Sequence, residues 1–221
     1  MKSYILSLQF EYIEPIVWRK VIVPAGMTFK RLHDVIQNVT NFQSGYPDDA
    51  YHLYEFQLDD VVATNNLQEI EKSKKKQYNG LRHKQPQSVK IDSYVERMGT
   101  FLYVYDFGDD WRIQVKLEDI VDDYYFGYPT VLDWSGEAPP EDVGGPPGFA
   151  YFLSVYHDEN HEEYAHYRKW ATQQRYRSFD LKHVNNMLKG LQITKTQWDK
   201  IHHEQYHVLS DKYRGPKLEI K

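Results

Sequence analysis

The sequence predicts an α+β fold: a mainly antiparallel sheet, an early β-β-α unit and a helical C-terminal third. Two strand-like runs are followed by an amphipathic helix near the start. A strand pair flanks a tight acidic turn at mid-chain. After a proline- and glycine-rich stretch, apolar residues recur at helical rather than strand spacing.

Taken in order, Tyr4, Leu6, Leu8 and Phe10 alternate with Ile5, Ser7, Gln9 and Glu11, which makes a first strand. Glu14-Pro15 turns the chain, and residues 16–23 read as a second strand that stops at Pro24-Ala25-Gly26. Thr28 is placed to N-cap a helix over residues 28–41, because Phe29, Leu32, Val35, Ile36 and Val39 share one face. This opening is also how a β-grasp fold begins, an analogy of fold only. His33, beside the apolar stripe, reads as a boundary histidine. Residues 43–49 read as a loop, and residues 51–58 as a third strand carrying His52 and Glu55 beside Leu53 and Phe56. Over residues 61–90 apolar content falls and Lys72, Lys74, Lys75, Lys76, Arg82, Lys84 and Lys90 accumulate, so a solvated basic excursion is expected. Asp92 is a candidate cap for a short helix before Gly99.

At the centre lies Tyr105-Asp106-Phe107-Gly108-Asp109-Asp110-Trp111. Residues 101–106 are nearly all apolar, whereas Trp111, Ile113, Val115 and Leu117 alternate with polar partners. A two-residue loop at Gly108-Asp109 or a four-residue loop over residues 107–110 gives the same register: Asp106 opposite Trp111, Val104 opposite Ile113, Leu102 opposite Val115. In one reading Gly108 supplies a positive φ while Asp106, Asp109 and Asp110 cap the turn; in the other the carboxylates form a site.

Residues 118–127 are acidic and aromatic, and Tyr128-Pro129 opens an irregular segment. Between Gly136 and Gly148 prolines and glycines alternate with acids, giving a stiff loop able to hold Glu141 and Asp142 in place. It is no phosphate loop, since the prolines remove amide donors and no Lys-Ser/Thr pair follows. Helices are expected over residues 149–156, 162–174, 180–189 and 194–209, with Asp180 and Thr194 as caps. Gly190 is a helix stop, so residues 1–190 read as one α+β domain and residues 191–221 as a helical appendage.

Composition sets the outer limits. The 221 residues are 41% hydrophobic and include 19 Tyr but no Cys, so the core is ample and no disulfide, thiolate metal site or thiol nucleophile exists. No apolar run is long enough to span a membrane and no signal peptide is recognisable, which predicts a cytoplasmic protein. Between Tyr105 and Asp142 eleven acids face only Arg112 and Lys116, within a chain of net charge −5. An acidic centre attracts cations and disfavours nucleic acid.

Several words of the sequence resemble the plasmid pRiA4b ORF-3-like family, some of whose members are labelled passenger TnpR proteins of insertion elements. They are Pro15-Ile16-Val17-Trp18-Arg19-Lys20-Val21, Leu32-His33, His52-Leu53-Tyr54-Glu55-Phe56, the central string from Tyr103 to Trp111, Glu118, Pro139-Pro140-Glu141-Asp142-Val143-Gly144-Gly145, Gly148-Phe149 and a late Asn185 to Leu188. The resemblance spans about residues 4–190 and implies an α+β fold and a site rather than a reaction. Many relatives carry cysteines where this chain has Val131, Ala138 and Val143, so zinc bound through such thiols is excluded here. Neither a serine-recombinase pattern nor a basic helix-turn-helix supports the resolvase label.

Two other strings imitate known motifs. His203-Glu204-Gln205-Tyr206-His207 spells HExxH, but the tail is His-rich and no third histidine follows. Asp106-Phe107-Gly108 lacks every other kinase element. The expected site is therefore an acidic pocket: Asp106, Asp109, Asp110, Glu141 and Asp142 as ligands of a divalent cation such as Mg²⁺ or Mn²⁺, lined by His52, Glu55, Tyr105, Trp111 and Glu118. The alternatives are a non-catalytic module receiving a basic peptide or protein on Tyr103, Tyr105 and Trp111, and a mobile-element accessory protein touching nucleic acid through the Lys72 to Lys76 run.

Overall fold

The computed structural model describes residues 1–43 and 52–194. The expected helix and appendage beyond residue 194, the HExxH string and most of the expected 43–49 loop lie outside the described residues.

An eight-stranded sheet carries the fold: β1 (Ser3–Phe10), β2 (Trp18–Pro24), β3 (Tyr54–Gln57), β4 (Val61–Thr64), β5 (Arg82–Lys84), β6 (Thr100–Tyr105), β7 (Trp111–Val121) and β8 (Thr130–Ser135) stand in the order β5-β4-β3-β6-β7-β1-β2-β8. The opening β-β-α unit is β1 (Ser3–Phe10), β2 (Trp18–Pro24) and α1 (Phe29–Val39), with Thr28 capping the Arg31 amide. β1 pairs antiparallel with both β2 and β7 (Trp111–Val121). β3 (Tyr54–Gln57) joins β6 (Thr100–Tyr105), and all neighbouring pairs except β4·β5 are antiparallel.

One face of the sheet buries the apolar stripe of α1 and residues from α3 (Asp92–Met98), α4 (Gly145–Tyr156) and α6 (Leu181–Leu188) in one continuous core. A smaller cluster of Ile5, Ile22, Tyr124, Phe126, Tyr128 and Leu132 closes the other face. α5 (Tyr164–Gln173) packs against α4. Asp180 caps α6 by accepting from the His183 amide at 2.9 Å. No helix among the described residues is long and apolar enough to cross a membrane.

Four sequence expectations are corrected. The basic stretch is structured: β4 (Val61–Thr64) is buried, Asn66 caps α2 (Leu67–Ser73), and β5 (Arg82–Lys84) forms the sheet edge. A four-residue run is too short to show a period, and Arg82 and Lys84 on the edge strand oppose further strand pairing. The segment after Pro129 forms β8 (Thr130–Ser135) rather than irregular chain. Asp92 caps no helix; its carboxylate accepts from the Gly26 amide at 2.9 Å and lies 3.1 Å from the Tyr4 hydroxyl. The hairpin register is displaced by one residue, with Tyr105 opposite Trp111, Tyr103 opposite Ile113 and Phe101 opposite Val115. A one-residue slip exchanges the faces of a strand, so Phe101, Tyr103 and Tyr105 enter the core and Asp106 leaves the strand.

His33 is a core residue. Its ring stacks on Tyr54 at 3.7 Å and 7°, and Nδ1 lies 2.8 Å from the Tyr103 hydroxyl. Burial, reinforced by Lys30, holds its pKa well below the ordinary histidine range. The unfolded chain therefore binds a proton that the folded chain refuses. This contribution to stability is complete above about pH 6.5 and is lost as pH falls below it, by at most about 1.4 kcal/mol per pH unit. In urea unfolding between pH 7.5 and 5.5, His33→Gln is expected to show a shallower acid-side loss than the wild type. Parallel curves would contradict this.

Candidate functional site

The turn between β6 and β7 has five residues, Asp106 to Asp110, closed by an Asp110 amide donating to the Asp106 carbonyl at 2.6 Å. The left-handed positions belong to Asp106 (φ 53°) and Asp110 (φ 52°), not to Gly108. Aspartate tolerates this region because its short side chain bonds locally. Asp106 Oδ1 accepts from the Gly108 amide at 3.0 Å, and the Asp106 amide donates to the Leu53 carbonyl at 2.9 Å. This second bond ties the turn to the chain just after His52.

The proline-glycine loop docks on that turn. Asp109 Oδ2 accepts from the Gly144 amide at 3.2 Å, beside the N-terminus of α4, where a carboxylate is favoured. Gly145 has φ 67°, and a Cβ there would stand 2.6 Å from the Asp109 carbonyl oxygen, so the approach requires glycine. The first turn of α4 takes up Pro146 and Pro147, whose missing amides have no helical partner at that position. From the other side, Asn41 at the exit of α1 bridges Pro140 and donates to the Ala138 carbonyl at 2.7 Å.

These contacts bring His52, Asp106, Glu141 and Asp142 together. His52, 9% exposed, has Nδ1 3.3 Å from Asp106 Oδ2 and Nε2 3.6 Å from Glu141 Oε2 and 4.0 Å from Asp142 Oδ1. Glu141 is 6% exposed; its Oε1 accepts from the Tyr105 hydroxyl at 2.7 Å and from the Gln43 amide. Its Oε2 is buried and has no hydrogen-bond partner among the described residues. Burial raises the Glu141 pKa, outweighing the two donors on Oε1. Asp142 (φ 54°) is 44% exposed at its side chain and opens the cluster to solvent.

The other expected residues are placed differently. Asp109 anchors the loop, and Asp110 pairs with Arg112 at 3.1 Å. Glu55 lies on β3 between the buried Tyr54 and Phe56, on the opposite face of the strand, and accepts from Gln57. Glu118 accepts from Ser7 at 3.0 Å and pairs with Lys116. It stands seven residues along β7 from Trp111, about 23 Å at strand rise. Trp111 and the Tyr103 and Tyr105 rings are fully buried and present no aromatic surface to solvent; Tyr105 meets the cluster through its hydroxyl on Glu141 and through its ring, edge-on to His52 at 5.4 Å. Sequence reasoning missed Gln43 and Asn41. Their part is played through a backbone amide and a loop contact, for which side-chain identity carries little signal.

An α+β protein with one imidazole and three carboxylates gathered where a central turn meets a rigid loop is the class that fold and site define. The chain belongs to the plasmid pRiA4b ORF-3-like protein family, whose model matches residues 2–187. It is 33% identical over 168 residues to the uncharacterized protein y4hQ of Sinorhizobium fredii (strain NBRC 101917 / NGR234), covering 75% of this chain and 79% of that one. The crystal structure of MM3350 from Methanosarcina mazei Go1, a protein of unknown function, superposes with a TM-score of 0.64 at 31% identity. That match covers 82% of this chain and 96% of that one.

Proposed function

We propose that the His52, Asp106, Glu141 and Asp142 cluster binds a divalent cation. The observation that carries this reading is the buried, hydrogen-bond-unpartnered Oε2 of Glu141, 3.6 Å from His52 Nε2 and beside atoms of His52, Asp106 and Asp142 that lie within 4.8 Å of one another. Ligands about 2.1 Å from one ion stand roughly 3–4.2 Å apart, so a small contraction would bring these atoms to one ion. An imidazole among carboxylates weights the choice toward Mn²⁺ or Zn²⁺ over Mg²⁺ or Ca²⁺. The exposure of Asp142 leaves one side open to solvent, as in sites whose ion meets a water or substrate rather than closed structural sites. A bound ion would there act as a Lewis acid and lower the pKa of a water.

A second reading has support in the same distances. Both His52 nitrogens already face carboxylates, and a protonated His52 would latch the turn to the loop without an ion. Calorimetric titration of Mn²⁺, Zn²⁺ and Mg²⁺ into chelator-treated protein separates the two. One saturable site, lost in His52→Ala, is expected. At an ion concentration 100-fold above Kd, binding should add about 2.7 kcal/mol, a rise in Tm of roughly 5–11 °C. No heat with any ion and an unchanged Tm would leave the latch as the role of the cluster.

A further inference from the structure

We infer that Asp106 is not a ligand but the positioning carboxylate of His52, and that His52 Nε2, Glu141 Oε2 and Asp142 Oδ1 hold the ion. This rests on the cation reading above and assigns the parts within it. By distance alone it is Asp106, and not Glu141, that groups with His52 and Asp142. The Asp106 oxygens nevertheless face other groups: Oδ1 accepts from the Gly108 amide at 3.0 Å, and Oδ2 stands 3.3 Å from His52 Nδ1, the ring nitrogen it would orient.

Glu141 has the converse arrangement. The Tyr105 hydroxyl and the Gln43 amide occupy Oε1, which turns the buried Oε2 toward His52 Nε2. The separations from Nε2, 3.6 Å to Glu141 and 4.0 Å to Asp142, fall within the range between neighbouring and opposite ligands of one ion. A ligating histidine commonly donates its other ring N–H to a carboxylate, which fixes its tautomer and raises its basicity. The left-handed backbone and the local amide bond hold the Asp106 carboxylate for that purpose.

The test uses the full chain, Zn²⁺ titration by calorimetry and the absorption spectrum of Co²⁺ bound in place of zinc. Asp106→Ala is expected to weaken Zn²⁺ about 10–100-fold while keeping one site and an unshifted Co²⁺ spectrum, with Asp106→Asn recovering part of the loss. Glu141→Gln keeps an acceptor for Tyr105 and Gln43 but turns an amide NH₂ toward the ion. It should weaken binding more than Asp106→Ala and shift the Co²⁺ bands. Nitrogen NMR of the Zn²⁺-loaded wild type needs no variant to fold, and should show His52 protonated at Nδ1 and ligated at Nε2. Ligation through Nδ1, or wild-type binding by Glu141→Gln with binding abolished in Asp106→Ala, would overturn the assignment while leaving the cation site intact. A wild type that binds no ion would remove the cation reading itself.

Discussion

Trp111→Ala is expected to lower the unfolding free energy by about 3–5 kcal/mol, the range for emptying a buried aromatic position. Trp111 is fully buried and meets Phe10 and Phe149 edge-on, with ring centroids 6.2 and 6.4 Å away. Phe42, at 6.0 Å, lies between it and Tyr105. The void would therefore open among Phe10, Phe42 and Phe149, whose rigid rings cannot collapse to fill it. At about 2–4 °C per kcal/mol for a body of this size, Tm should fall by roughly 6–20 °C. Trp111→Phe should cost much less. The indole Nε1 is buried without a hydrogen-bond partner among the described residues, and removing that donor relieves a penalty of about 1–3 kcal/mol. Urea unfolding of both variants checks the pair; equal losses would mean that the indole N–H is satisfied in solution.

Arg19→Met carries the second large effect, a loss of about 2–4 kcal/mol, because its removal strands acceptors and not a partner charge. Arg19 is 1% exposed. Its Nε donates to the Val39 carbonyl at the end of α1, and its Nη1 to the carbonyls of Trp18, Ser135 and Gly136, all within 3.0 Å. The guanidinium also stacks 4.3 Å from Phe179. Burial lowers its pKa to about 10, partly countered by Glu137, so it remains charged at neutral pH. Methionine fills much of the volume but leaves those carbonyls without their donor. The net value is smaller than the four bonds suggest, since the cost of burying the charge disappears with it. Arg19→Lys should restore only part, because an ammonium lacks the planar fork that reaches helix, strand and loop together. A loss below 1 kcal/mol for Arg19→Met would show that water replaces the guanidinium.

How far each feature was legible follows from where its cause lies. The alternation of Tyr4, Leu6, Leu8 and Phe10, the stripe of α1 and the Thr28 and Asp180 caps are local, and each is found where expected. The turn and the proline-glycine loop were readable as places, because clustered Asp, Gly and Pro mark strained backbone. The β6·β7 register was not. Residues 101–105 are apolar or aromatic almost throughout and carry no period of two, and the slip depended on Asp106 and Asp110 adopting left-handed conformations assigned by expectation to Gly108.

The same division runs through the site. Residue type and order alone determined an α+β protein with an acidic centre and named His52, Asp106, Glu141 and Asp142 among its candidates, since charge, turn chemistry and strand or helix period are properties of neighbours in the chain. Which carboxylates converge was decided only in three dimensions. Asp109 and Asp110 have the same chemistry as Asp106, yet one is spent on the Gly144 amide and the other on Arg112. Glu141 reaches His52 across 89 positions of sequence because Asn41, Gln43, Tyr105 and the glycine at 145 fix the loop against the turn. A carboxylate's role is set by the donor that reaches it first, and those donors are backbone amides and distant side chains whose positions exist only once the sheet has closed.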